Sequence, residues 1–364
     1  MKAKKLITSL VESPKVWRGG VWSGNFSGTW LTGRFKQGTF DGTWYDGVWQ
    51  TGTFGGVWKF GEWRSGSFML GEWQDGYWRG GTWFSGDWRG GDWYGGEWIK
   101  GSWYFGTWHN GVWKGGKWHC GAWKGGLWQS GAWGAGEWHG GTWECGNWYG
   151  GNWSDGVWKG GNWHTGHWGG GTWNNGVWHD GEWGGGTWYN GKWLSGEWRA
   201  GEWHNGNWTT GSWLSGMWTF GNWYGGVWKH GKWYGGTWAD GTWEDGCWHS
   251  GVWINGTWES GEWLCGHWHD GTWNGGMWSG GIWEDGVWKG GTWCDGRWLG
   301  GIWEGGEWLD GKWERGAWHG GTWKSGYILD EGKLVKSSVN PADYFYNKKH
   351  GTGMGISGNK YSDL

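Results

Sequence analysis

Residues 101–120 read GSWYFGTWHNGVWKGGKWHC, which is four copies of the unit Gly-x-Trp-x-x. The unit keeps one phase from Gly56 to Trp323, where every fifth residue is Trp except Phe68. We call these positions the aromatic lattice, together with the earlier aromatic residues at 17, 22, 26, 30, 35, 40, 44, 49 and 54. A helix does not suit this period, because one glycine per unit costs roughly 1 kcal/mol relative to Ala. Five residues also turn about 140° around a helix, so the Trp residues would form no common stripe.

A flat strand does not suit the period either. Side chains alternate between the two faces of a strand, so an odd step of five sends successive Trp residues to opposite sides. The chain must therefore bend once per unit if all Trp side chains are to share one side. The second residue after Trp is mostly Gly, Asp, Asn or Ser, and Gly follows it, which is turn chemistry. The sequence predicts an all-β, single-stranded β-solenoid with Trp inside.

The composition agrees with an ordered repeat. The 364 residues include 91 Gly, 58 Trp and 2 Pro, and 22% are aromatic. Disordered chains are poor in aromatic residues, and collagen needs glycine at every third position. With Trp outside, almost no apolar side chain would be left for a core. Trp58, Trp63, Trp78, Trp138, Trp198, Trp258 and Trp323 are our representative core residues.

The net charge, the apolar runs and the cysteines limit which partners and which cellular compartment we expect. The net charge of −3 comes from 30 basic and 33 acidic residues spread along the chain, so we expect no nucleic-acid partner. No apolar run reaches membrane length, and residues 1–13 carry no small-residue cleavage site, so we expect neither a membrane segment nor a signal peptide. Five cysteines show no paired spacing, which favours synthesis in a reducing cytoplasm.

The repeat resembles the pentapeptide-repeat family, whose unit has a small residue, a variable one, a large apolar one and two more. Gly and Trp stand here where that family usually has Ala and Leu or Phe, an exchange that roughly conserves volume. The resemblance covers about residues 17–326. It implies a four-sided, right-handed β-helix with the small and large residues inside, and we favour that geometry.

Two alternatives remain open. Steps of four residues end at Trp30, Trp44 and Trp58, which are 14 residues apart, as in a three-sided coil with faces of five, five and four. The segment Gly-x-Trp-x-x-Gly also resembles the front of a MORN repeat, a meander of β-hairpins. The second half of that longer repeat is missing here.

The ends of the lattice predict caps, since a solenoid is open at both ends. We divide the chain into an N-terminal cap (1–16) with a helix over Lys2–Glu12, the solenoid (17–326) and a C-terminal cap or docking segment (327–364). In the last segment YILDEGKLV predicts a strand pair. Asn340 and Pro341 then predict the start of a helix that ends at Gly351, before a mobile tail. Its aromatic residues, Tyr344, Phe345 and Tyr346, are our candidate docking residues.

No catalytic, cofactor-binding or metal-binding residue is predicted, and we expect no enzyme. Gly351, Gly353 and Gly355 follow a helix instead of opening one, unlike a phosphate-binding loop. In a four-sided coil, residues 20 apart are stacked, which would pair His119 with His139 and His249 with His269. Two such pairs are what chance placement of His predicts.

The function predicted is a non-enzymatic structural or interaction rod. Trp-dense Gly-x-Trp-x-x chains resemble repeat proteins encoded by tailed phages, which implies a virion or tail-fibre-associated protein that contacts other structural proteins through one end. An oligomer is compatible with this role. One alternative is a carbohydrate-binding adhesin with an exposed Trp face for host glycans. Another is a gyrase-binding DNA mimic, which some pentapeptide-repeat proteins are.

Overall fold

A computed structural model describes residues 15–351. The chain divides into two compact units, unit 1 (Met1–Gly161) and unit 2 (Asn162–Leu364), and within each unit it winds as a parallel β-solenoid. The predicted all-β solenoid is therefore confirmed. The N-terminal helix predicted over Lys2–Glu12 and the tail after Gly351 lie outside the described residues.

The strands are short and follow the lattice. Unit 1 begins with strands of varied length: Lys15–Trp17, Val21–Ser23, Phe26–Trp30, Arg34–Gln37, Thr39–Trp44, Val48–Trp49, Thr53–Trp58, Glu62–Trp63 and Ser67–Trp73. From Tyr77–Trp78 to Val157–Trp158 every strand is one Trp and the residue before it. Unit 2 repeats this pattern from Asn162–Trp163 to Thr322–Trp323. It ends with Gly326–Asp330, Lys333–Ser337 and the helix Pro341–His350.

Each coil has three sides. In unit 1, Trp78 pairs in parallel with Trp93, which pairs with Trp108, so strands meet again after fifteen residues. In unit 2, Trp198 pairs with Trp213 at the same spacing. The four-sided geometry was wrong, and the three-sided alternative is confirmed. The four-sided prediction assumed that Gly and Trp together fill the interior in place of Ala and Leu or Phe. That assumption fails, because the glycine of each unit does not share the interior with Trp.

The glycine that begins each unit, which we call the lattice glycine, forms a corner of the coil instead. Gly126 has φ +110°, and a Cβ built on it would lie 2.5 Å from the carbonyl oxygen of Gly111 in the preceding coil. Three glycine columns thus bring the backbones of successive coils into close contact. The non-glycine residues before these glycines do not share their left-handed conformation, because among the described non-glycine residues only Glu331 has a positive φ. Asp and Asn are frequent there because the side chain accepts from the next amide, as Asp75 Oδ1 does from Gly76 N–H at 2.7 Å.

The first coils are shorter, and they show why an even step needs no corner. Phe40 and Trp44 are four residues apart on the continuous strand Thr39–Trp44, and both are buried on the same side. In Ser67–Trp73 the register against the previous coil runs Phe54↔Phe68 and then Gly55↔Leu70. Met69 is the extra residue of this β-bulge, and it lengthens the coil from fourteen to fifteen residues.

The interior consists of stacked indoles. Trp113 lies parallel to Trp98 and Trp128, with ring centroids 4.7 and 4.8 Å away. It meets Trp108 and Trp118 edge-on at 6.0 and 5.9 Å, so each indole has both of the arrangements that aromatic rings prefer. The representative core residues Trp58, Trp63, Trp78, Trp138, Trp198 and Trp258 are fully buried, whereas Trp323, in the last coil, is partly exposed.

The C-terminal cap begins inside the repeat. Tyr327 and Ile328 pair with Lys312 and Trp313. Ile328 is fully buried and takes the next lattice position, so the lattice continues past residue 326, where we expected it to end. Gly326–Asp330 then pairs antiparallel with Lys333–Ser337, which confirms the predicted strand pair. The helix is confirmed too: Asn340 caps it by accepting from the amide of Asp343, and Gly351 ends it with φ 64°.

Candidate functional site

The interior offers no binding platform. The aromatic lattice residues from Trp30 to Trp313 are at most 1% exposed. The outward Trp face required by the adhesin alternative is therefore absent from residues 30–313, because the rings fill the coil that encloses them. Functional side chains must lie on the outer surface or at the ends of the described chain.

The outer surface of unit 2 carries a shallow concave place. A groove of about 480 Å³ follows one corner of unit 2, where Asn175, Asn190 and Asn205 stand in successive coils. Its other lining residues are corner glycines, Val177, Lys192 and Asn207. It gathers amides and glycine backbone but no pair of titratable groups that could share a proton, so it gives no sign of acid–base chemistry.

The predicted histidine pairs are not brought together, because stacked residues are fifteen apart and not twenty. In the structure His119 stacks on Tyr104 with ring centroids 4.6 Å apart, and His249 stacks on Tyr234 at 4.5 Å. Each of these ring pairs joins neighbouring coils and has one exposed and one half-buried ring. Neither includes a second imidazole, so the pairing by twenty residues was wrong.

A different histidine pair forms the densest group of possible ligands. His267 lies in the strand His267–Trp268 and His269 follows it directly, so the two flank the buried Trp268, and their ring centroids are 4.3 Å apart. Glu284 lies in the next coil. Its Oε1 is 2.7 Å from His267 Nε2, and its Oε2 is 2.7 Å from His269 Nδ1.

The carboxylate of this group is held in its charged form. Burial acts to raise the pKa of Glu284, but the hydrogen bonds from His269 and His267 outweigh it and bring that pKa below its ordinary value. The three side chains are 34–40% exposed, so solvent reaches the group. Sequence reasoning missed it because it tested the wrong spacing. The signal was present as His-Trp-His followed, fifteen residues after the second His, by Glu.

The cysteines show no reactive environment. All five are free thiols, and Cys145 Sγ donates to the carbonyl of Gln129 at 3.0 Å. Burial raises the pKa of Cys247 and Cys294, and the nearby carboxylates of Glu262 and Asp295 act in the same direction. A raised pKa keeps these two thiols protonated and poorly nucleophilic.

The candidate docking residues divide between two roles. Tyr344 is 5% exposed and donates its hydroxyl to Asp330 at 3.1 Å, so it anchors the helix to the hairpin. Lys348 holds the same carboxylate at 2.7 Å. Phe345 and Tyr346 are 43% and 60% exposed, which makes them the part of the trio that is open to a partner.

Comparisons with known proteins add little. No protein-family model matches the chain, and no curated protein matches it. Among solved structures, it is similar to a putative acetyltransferase from Desulfovibrio desulfuricans G20 at 6% identity and a TM-score of 0.13. That match covers 54% of this chain and 66% of the other, just under two thirds of its length. A TM-score this low carries no argument about fold or activity. Within residues 15–351, no helix has the length and apolar character needed to cross a bilayer.

Proposed function

We propose that the chain is a non-enzymatic structural or interaction protein, and that it serves as a virion or tail-fibre-associated component of a tailed phage. The observation that supports this most is the buried indole interior, because these indoles stabilise the solenoid and are not exposed to bind a ligand. The β-solenoid is an architecture typical of such roles. Virion membership rests on the resemblance of Gly-x-Trp-x-x chains to phage-encoded repeat proteins. Synthesis in the reducing host cytoplasm would precede assembly.

The test is the protein content of purified particles. The encoding phage is propagated with and without an intact gene, and particles purified by density are examined by mass spectrometry. We expect peptides of this chain in wild-type particles at a fixed ratio to a known tail protein. Abundant chain in the infected lysate with none in the particles would contradict the proposal.

Contact with other structural proteins is proposed to run through the exposed aromatic residues of the C-terminal helix. A Phe345→Ser, Tyr346→Ser variant should enter particles less than wild type, because both side chains are open to solvent. The matched control is Phe220→Ser with Tyr224→Ser, which removes two exposed aromatic side chains from the side of unit 2. Equal incorporation of both variants would move the contact elsewhere.

Neither alternative gains support. The adhesin required an outward Trp face, and the lattice rings from Trp30 to Trp313 are buried. A DNA mimic needs a coherent acidic stripe, whereas acidic and basic side chains are interspersed and paired on the outer surface. Arg199, for example, contacts Glu182 at 3.2 Å and Glu197 at 2.9 Å.

A further inference from the structure

The outer surface of unit 2 contains three polar side chains, His267, His269 and Glu284, that contact one another across two successive coils. His267 and His269 stand on either side of Trp268, at the strand His267–Trp268 and just after it, and their rings lie side by side on the outside of the coil. Their neighbours in the adjoining coils show what ordinary surface positions hold. Val252 precedes His267 in the same column and Ile282 follows it.

The donor atoms of the three side chains converge. One imidazole nitrogen of His267, one of His269 and one oxygen of Glu284 all lie within 4.8 Å of one another. Two imidazole nitrogens bound to one Zn²⁺ are each about 2.0–2.1 Å from the ion, and a carboxylate oxygen is about 2.0–2.2 Å away. Because the side chains are partly exposed on the outside of the coil, small rotations bring the atoms to these distances without moving the backbone.

The neighbouring charged groups leave the three donors available. Asp270 and Asp285 accept from the amides of the glycines that follow them, at 2.6 and 2.8 Å. In the coil beyond Glu284, the guanidinium of Arg297 is held by Glu314 at 2.7 Å. The two imidazoles and the carboxylate therefore face solvent together, with no cation among the described residues bound to Glu284.

We propose that His267, His269 and Glu284 bind one divalent transition-metal ion, with two imidazole nitrogens, one carboxylate and water completing the coordination. The donor set suits Zn²⁺, Ni²⁺ or Cu²⁺ and not Mg²⁺ or Ca²⁺, which prefer oxygen ligands. Binding replaces the two hydrogen bonds between the imidazoles and the carboxylate with metal–ligand bonds, and the proton of each coordinating nitrogen passes to solvent or, through solvent, to the other nitrogen of its ring. Because the ligands come from two successive coils, the ion links those coils across the outer surface of unit 2.

The site is structural and not catalytic in this proposal. The three ligand side chains are 34–40% exposed, so the open coordination positions face solvent. An ion that binds the folded coil pair and not the unfolded chain stabilises the fold by mass action.

The experiment measures Zn²⁺ binding to the untagged full-length protein by calorimetry, after treatment with a chelator that is then removed. The ligand variant is His267→Val with His269→Ile, which places at both positions the residues found one coil earlier, Val252 and Ile254. A second variant, Glu284→Gln, removes the carboxylate alone. The control is His204→Gln, which removes an imidazole 3.7 Å from Glu202 that has no second histidine beside it.

We expect the strongest site in wild type to be lost in the double variant and weakened at least about tenfold in Glu284→Gln, because loss of a ligand exceeds the effect of loss of its supporting contacts. The control should keep it. With Cu²⁺, electron paramagnetic resonance should show coupling to two nitrogens in wild type and not in the double variant. Circular dichroism in chelator checks that the variants fold. If the double variant and Glu284→Gln bind Zn²⁺ as wild type does, or if His204→Gln loses as much affinity as they do, the proposal is overturned.

Discussion

At the residue scale, two adjacent glycines can have quite different roles. Gly126 is a lattice glycine with φ +110°, and its Cα hydrogen faces the backbone of Gly111. Gly125 stands just before it, and a Cβ there would lie 3.6 Å from the carbonyl oxygen of His109, an ordinary contact. The repeat therefore needs glycine only at the corner, where conformation and the approach of the previous coil both exclude a side chain.

Gly126→Ala should destabilise unit 1 by about 1–3 kcal/mol from its backbone conformation alone. The overlap of the new Cβ with the Gly111 carbonyl oxygen would add to that loss. Gly125→Ala is the matched control and should stay within about 0.5 kcal/mol of wild type. Denaturant unfolding followed by circular dichroism measures both. Equal stability of the two variants would show that the corner tolerates a side chain.

At the element scale, the length of a coil depends on whether a corner interrupts the strand. A four-residue step such as Phe54 to Trp58 is one continuous strand, whereas the five-residue steps bend, except that Phe68 to Trp73 stays one strand through its bulge. The bulge at Met69 marks the change between the two kinds of step. At the same place in the preceding coil the step from Phe54 to Trp58 has four residues, and in the following coil the step that begins at Trp83 has five. The coil is thus adjustable by one residue at this junction.

Deletion of Met69 should be tolerated, because the resulting Phe-Leu-Gly-Glu-Trp step matches the preceding coil and only moves the junction by one coil. Deletion of Lys100 creates the same kind of step, Trp-Ile-Gly-Ser-Trp, between five-residue steps on both sides. It introduces two register changes and should lower the melting temperature clearly more. Melting curves followed by circular dichroism compare the two deletions. A larger loss for the Met69 deletion would contradict this account of the bulge.

The C-terminal helix should depend on pH through Asp330. The hydrogen bond from Lys348 lowers the pKa of Asp330, burial opposes it, and the bond from Tyr344 adds to the lowering. The stabilising contribution is therefore present above the carboxyl's ordinary pKa of about 3.9. It is lost as pH falls through the lower folded value. Hydrogen exchange of residues 341–350, corrected for intrinsic rates, should show less protection at pH 2 than at pH 6.

Asp330→Asn is the control for that experiment. It should show weak protection of the helix already at pH 6, with little further change on acidification. Strong protection of the wild-type helix at pH 2, equal to that at pH 6, would show that the ion pair does not hold the helix in place.

How much the sequence revealed differs between the elements. The odd period required one bend per unit, and Asn340, Pro341 and Gly351 located the helix, because both signals are local. The number of sides could not be predicted from a single unit, because the five-residue pattern does not show how many units make one turn of the solenoid. Only the early steps ending at Trp30, Trp44 and Trp58 contained that information. The His267, His269 and Glu284 group was missed for the same reason, since Glu284 is a neighbour only when a coil is fifteen residues long.

At the scale of the whole molecule, the last coil of unit 2 shows how the repeat is closed. Ile328 continues the lattice beyond Trp313, and the indole N–H of Trp323 donates to the carbonyl of Ser337 at 3.1 Å. The helix packs near Ala317–Trp318. The hairpin and the helix thus cover strand edges that would otherwise present unpaired backbone groups.

A chain ending after Ser325 should self-associate, because it exposes those edges together with Trp318 and Trp323. Sedimentation velocity over a range of concentrations should show larger species that grow with concentration. A chain ending after Gly351 keeps the hairpin and the helix and should behave as wild type does. A monodisperse truncation after Ser325, with the size of wild type, would mean that the cap does not prevent association.

The indole columns also have an optical consequence. Trp218, Trp233 and Trp248 stack at 4.7 and 4.8 Å with nearly parallel planes, and edge-on neighbours surround them. Dipole coupling between chromophores grows steeply as their separation falls, so we expect an excited state created on one such ring to pass to its neighbours before it decays. Emission should then come from rings other than the one that absorbed the light, and a single quenching side chain or dye should darken many rings at once. The close stacking that buries the indoles thus predicts shared excitation along each column.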